Sequence, residues 1–203
     1  MSDINAAAAK LSEYDFFILI DTSGSMSEPV KAQSTTTRWQ AVQEAALTLI
    51  RDVEKIDSDG LGMVLFGSTV QAFENVGVAQ ARDVFATTTP RGGTPLAEAL
   101  TEGLRLAGKS AKKDFIVVFT DGVPDEQGPV TAVIKNAANA LEKDEDLTIL
   151  FVQVGDNAEA TAYLKSLDNE LTGAKFDIVD AKTVKEVDQF PTTVDLILAA
   201  IAD

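Results

Sequence analysis

Long apolar runs that stop abruptly on polar residues alternate along this chain with segments of helical spacing, and that alternation limits the folds open to it. Residues 15–20 (DFFILI), 114–120 (DFIVVFT) and 147–154 (LTILFVQV) are apolar stretches rich in β-branched and aromatic side chains. Runs of this length and composition are strands buried on both faces. LGMVLFG at 61–67 is a further strand, and FDIV at 176–179 a short one. TVQAF at 69–73 alternates and follows almost at once, which suits a hairpin to an edge strand.

Between these runs the apolar positions recur every three or four residues. Trp39, Val42, Ala46, Leu49, Ile50 and Val53 mark a helix over 38–53. Leu96, Leu100, Leu104 and Ala107 mark another over 95–107, and Val130, Val133, Ile134, Ala137 and Leu141 a third over 129–142. Helices are also expected over 79–85, 158–167 and 191–201, the last with Val194, Ile197, Leu198 and Ile201 on one face. Strands alternating with amphipathic helices imply an α/β fold with a mostly parallel sheet covered on both faces. Ligands of such sheets sit beyond the carboxyl ends of the strands, at a topological switch point. The 203 residues suit one domain, read here as 14–203 behind an N-terminal tail, 1–13.

The residue inventory excludes several chemistries. The net charge of −15 repels nucleic acid and anionic membrane, and no basic patch offsets it. There is no cysteine and no histidine, which removes disulfides, thiol chemistry, the commonest general base and the commonest zinc ligand. The opening MSDINAAAAKLSEY lacks the basic region of a secretory signal, and no stretch approaches the ~18 apolar residues of a membrane span. The expectation is a soluble, cytoplasmic chain.

The ends of the strands carry a pattern of oxygen-bearing residues. Asp21, Ser23 and Ser25 follow the first strand, and Asp121 and Gly122 follow 114–120. RGGTPL at 91–96 opens a helix: Gly92 and Gly93 let the backbone bend, Thr94 stands at a natural N-cap, and Pro95 suits the first turn. Three loops thus bring carboxylates and hydroxyls to one end of the sheet. That donor set fits a hard divalent cation and suits Mg²⁺, Mn²⁺ and Ca²⁺ alike; Mg²⁺ is the expected one, with Ca²⁺ or Mn²⁺ as alternatives. Alternate residues of an extended segment point the same way, so Asp21, Ser23 and Ser25 can face one ion.

DTSGSM after an apolar strand, GGTPL opening a helix and FTDG after another strand resemble the von Willebrand factor A domain with its metal-ion-dependent adhesion site. The resemblance runs through VGD at 154–156 and covers about 14–202. It implies a doubly wound, Rossmann-like sheet of six strands, five parallel and one antiparallel at an edge. The site it implies is Asp21, Ser23, Ser25, Thr94 and Asp121 around one divalent cation. The implied function is non-enzymatic: binding of a protein whose Glu or Asp completes the metal's coordination. Intracellular bacterial branches of the family look closer than its adhesion receptors, and these often work beside AAA+ ATPases; this chain itself has no GxxxxGK[ST] motif.

Plainer roles stand beside these. Asp21 alone reads as a turn cap and Thr94 alone as an N-cap. Glu28, Asp125 and Glu126 read as solvated rim residues, with a partner contact or an acceptor behind the ligands as the alternative. Arg91 reads as an exposed ion-pair residue, with a grip on a carboxylate of the partner or of the rim as the alternative; Trp39 reads as core, and EKDED at 142–146 as a solvated helix end. Two other functions compete. One is a structural or regulatory subunit of a larger complex, whose metal site stabilises one conformation reported by the helix 191–201. The other is a Mg²⁺-dependent phosphotransfer enzyme; that chemistry resembles DxDx[TV], and Ser23 stands where its second carboxylate belongs.

Overall fold

The computed structural model describes residues 2–56 and 60–203. Six strands form one sheet: β1 (Tyr14–Asp21), β2 (Leu61–Phe66), β3 (Val70–Val76), β4 (Lys113–Thr120), β5 (Leu147–Gln153) and β6 (Val179–Thr183). Their spatial order is β3-β2-β1-β4-β5-β6. Every neighbouring pair is parallel except β2 and β3, the hairpin expected at one edge. The order reverses between β1 and β4, which lie side by side with Ile18 level with Val117 and Ile20 with Phe119. That junction is the switch point, where the loops leaving two adjacent strands diverge to opposite faces.

Eight helices complete the described structure: α1 (Ser2–Leu11), α2 (Arg38–Val53), α3 (Val78–Thr87), α4 (Leu96–Ala107), α5 (Gln127–Ala140), α6 (Ala158–Asn169), α7 (Val184–Val187) and α8 (Thr193–Ile201). The pleat of β1 feeds two cores. Phe16, Ile18 and Ile20 pack with Trp39, Val42 and Ile50 of α2 and with Leu196 and Ile197 of α8. Phe17 and Leu19 point the other way, among Leu100 of α4, Val130 and Ile134 of α5 and Leu164 of α6. Continuous apolar runs arise because both faces of each central strand are covered. Each fully buried Leu or Ile contributes about 1.5–3 kcal/mol, so the helices cannot peel away without large cost.

Local signals fix α2, the helix behind the site. Thr37 accepts a hydrogen bond from the Gln40 backbone N–H while the Gln40 side chain accepts from the Thr37 N–H, a reciprocal capping box. Trp39 is buried and meets Phe85 edge-on, with ring centroids 5.5 Å apart. It is core, as expected.

Several boundaries differ from the sequence expectation. Residues within the segment read as a tail form α1; its alanine run is a strong helix former, and Leu11 is fully buried. The last strand lies at 179–183 rather than 176–179. Its VDAKT sequence alternates poorly because Asp180 is itself buried, paired with Lys182. Helix α4 begins at Leu96 with Pro95 as its N-cap residue and no side-chain cap. The N-cap role expected of Thr94 is therefore not what this residue does.

Candidate metal centre

Asp21 is the last residue of β1, and Asp121 immediately follows β4. Both are almost wholly buried, as are Ser23 and Thr94. A short 3₁₀ turn over Gly24–Ser27 carries Ser25 back across the end of the sheet. Ser25 Oγ donates to Asp121 Oδ1 at 2.9 Å and lies 3.1 Å from Ser23 Oγ. The loops after the two switch-point strands are thus joined through side chains that all carry oxygen.

Asp21 is held on both oxygens. Its Oδ1 accepts the Ser23 backbone N–H at 2.7 Å, and its Oδ2 accepts the Thr120 hydroxyl at 2.7 Å. Burial pushes its carboxyl up to about 6, and the nearby Asp121 charge adds to this; the bonds from Ser23 and Thr120 work in the opposite direction. An aspartate placed this deep, beside a second carboxylate, is uncomfortable as an anion without a cation nearby.

The third loop arrives through backbone. Arg91 N–H donates to the Thr22 carbonyl at 2.7 Å, and Gly24 N–H donates to the Gly92 carbonyl at 3.1 Å. Gly92 has φ +89°, and a Cβ there would lie 2.5 Å from the Ser68 nitrogen, so only glycine fits. Thr94 is fixed from behind: its N–H donates to Asp125 Oδ2 at 2.9 Å, and the Asp125 N–H returns a bond to its carbonyl at 3.1 Å. The Thr94 hydroxyl makes no hydrogen bond among the described residues.

Four of the five expected ligands, Asp21, Ser23, Ser25 and Asp121, are therefore linked by direct bonds or by adjacency. Thr94 is tied in through its loop, and among the described residues no side-chain hydrogen bond joins it to the other four. The donor set passes the chemical test for a hard cation: two carboxylates, three hydroxyls and no nitrogen or sulfur among the five. Asp125 takes the minority role foreseen for it, as an acceptor behind the ligands, whereas Glu126 is exposed.

Two residues of the site were not singled out in the sequence. Thr120 could have been noticed as the hydroxyl directly before Asp121. Arg38 carries the larger surprise. Its Nη1 donates to Asp121 Oδ2 at 2.7 Å, to the Ser25 carbonyl at 3.4 Å, and lies 3.2 Å from Glu28 Oε2. The cation paired with the rim is thus Arg38, not Arg91, which is exposed. The available signal was a basic residue opening a helix, the end where the macrodipole disfavours cations.

A three-layer α/β domain with an oxygen-lined site at its switch point defines the class of protein. The family model for the von Willebrand factor type A domain matches residues 15–190, and the chain belongs to that family. Solved structures share the fold at low identity. The SpRpn10 VWA domain superposes with TM-score 0.61 at 11% identity, over 91% of this chain and 93% of that one. The PilB minor pilin from Streptococcus sanguinis gives 0.68 at 12%, over 94% of this chain and 60% of the pilin. The manganese-loaded TRAP protein of Plasmodium vivax gives 0.58 at 18%, over 87% and 71%. No curated protein matched the sequence.

Proposed function

We propose that this chain is a non-enzymatic protein-binding domain that holds one divalent cation, Mg²⁺ first, with Asp21, Ser23, Ser25, Thr94 and Asp121, and offers it to an acidic side chain of a partner protein. Domains of this family are in general interaction modules, which supports the coarse part of the reading. The single observation that carries the finer part is the hydrogen-bonded linkage of Asp21, Ser23, Ser25 and Asp121 at the carboxyl ends of β1 and β4, with the Thr94 loop bonded to the first of these loops through backbone. A manganese-loaded structural neighbour is consistent with it.

The bound cation would supply Lewis acidity toward an incoming carboxylate. The chain's own residues supply position and charge balance. Thr120 and the Ser23 N–H orient Asp21. Ser25 orients Asp121. Asp125 and Gly92 set the height of Thr94. The partner's carboxylate must approach a domain of net charge −15 and two buried aspartates, so without the ion the encounter is repulsive.

The test is capture of binding proteins in Mg²⁺ and in excess chelator, with Asp21→Ala as control. A partner held only by the wild type with metal supports the reading. Equal capture in all arms overturns it.

A further inference from the structure

Resting on that function, we propose that Arg38 is a resident cation of the site, which neutralises Asp121 in the metal-free protein and competes with the divalent ion for it. The guanidinium bonds Asp121 Oδ2 at 2.7 Å, with its side chain only 13% exposed. Asp121 is thereby charge-balanced from within: Ser25 satisfies one oxygen and Arg38 the other.

The placement makes sense only through these anionic contacts. Arg38 is the first residue of α2, where the positive end of the helix repels a cation. Its Nε is buried with no hydrogen-bond partner, a loss that the Asp121 and Glu28 contacts must offset. Gly155, with φ +88°, leaves the space for it; a Cβ there would come within 2.8 Å of Nε. A guanidinium in an unfavourable field, short of one partner and held by Asp121, Glu28 and one carbonyl, is poised to be weakened when a doubly charged ion takes Asp121. Glu28, on the rim and largely exposed, remains as its second anchor.

Competition has a sign that a purely structural role lacks. Removing the guanidinium takes away both a rival for Asp121 and a like charge beside the incoming ion, so affinity for the cation must rise. The experiment is calorimetric titration of Mn²⁺ into wild type and Arg38→Met, with thermal unfolding of each in chelator and in metal. Arg38→Met is expected to bind Mn²⁺ at least about ten-fold more tightly. It should melt lower than wild type in chelator and recover most of the difference in metal. Asp21→Ala should abolish binding in both backgrounds, which identifies the site.

Should Arg38→Met fail to fold in chelator, Arg38→Lys keeps the charge without the planar fork and is expected to bind between the two. Folding of Arg38→Met only in metal supports the proposal, as does a wild type that binds nothing beside a variant that binds. Unchanged or weaker affinity in both variants, with wild-type binding intact, overturns the role of Arg38 alone. No binding by any of them overturns the metal site and this role together.

Discussion

The Thr120 hydroxyl, at the end of β4, donates to Asp21 Oδ2, at the end of β1, at 2.7 Å. One strand thus orients the carboxylate of its neighbour in a place water cannot reach. Thr120→Val keeps the shape and removes the donor. It leaves a buried carboxylate oxygen unpaired, at a cost of about 1–3 kcal/mol. Thermal unfolding in chelator should show the drop, and titration should show several-fold weaker Mg²⁺ binding. Unchanged values in both would mean that Asp21 does not depend on this bond.

Removing Asp21 should separate binding from folding. Asp21→Ala deletes a charge held above its ordinary range by burial, so the metal-free domain should retain its circular dichroism spectrum. What disappears is the gain on adding metal. Wild type at one hundred times its dissociation constant should gain about 2.7 kcal/mol, and the variant nothing. A variant that still gains would place the ion elsewhere.

Gly92 is a backbone requirement of the site. Any L-residue there is strained by the positive φ, typically about 1–3 kcal/mol, and a Cβ would run into the backbone of Ser68. Gly92→Ala is expected to destabilise the domain and to weaken cation binding further than its loss of stability accounts for, because Thr94 lies two residues on. Wild-type affinity in a folded variant would show that Thr94 is not needed.

Far from the site, Asp114 makes a pH-dependent liability. It sits level with Asp15 on the paired strand, one of its oxygens is buried without a partner, and burial with the Asp15 charge pushes its carboxyl up to about 7. The folded protein therefore holds a proton that the unfolded chain releases near pH 4, so folding binds a proton between these values. Stability contributed by this group is fully present below the unfolded value and falls as pH rises toward 7. Asp114→Asn should flatten that slope and raise the melting temperature at pH 7–8. A steeper slope in the variant would contradict this assignment.

The strands beside the switch point and helix α2 were legible because their burial is two-sided or strictly periodic. The linked part of the site was legible because Asp21, Ser23, Ser25 and Asp121 each lie at or within a few residues of the end of β1 or β4, where spacing constrains direction. Thr94, in the loop between α3 and α4, was legible only through the GGTPL motif. What escaped did so for physical reasons. Arg38 reaches Asp121 across 83 residues of sequence, a pairing that no local pattern encodes. The last strand was misplaced because a half-buried ion pair, Asp180 with Lys182, mimics a solvated segment. Helix α1 hid in a stretch whose alanines carry propensity but little hydrophobic pattern.

Asp21 and Thr120 are 99 residues apart, and Ser25 and Asp121 are 96 apart. During synthesis at about 5–20 residues per second, the first loop waits roughly 5–20 s before the strand that completes it exists. Until β4 slots in beside β1, the nascent chain carries the proposed site without Asp121 and with an Asp21 that lacks its Thr120 partner. The proposed site is therefore completed only with closure of the longest-range contacts in the sheet, between β1 and β4. An interaction made through this end of the domain would report that its partner has met a molecule whose two central strands are already paired.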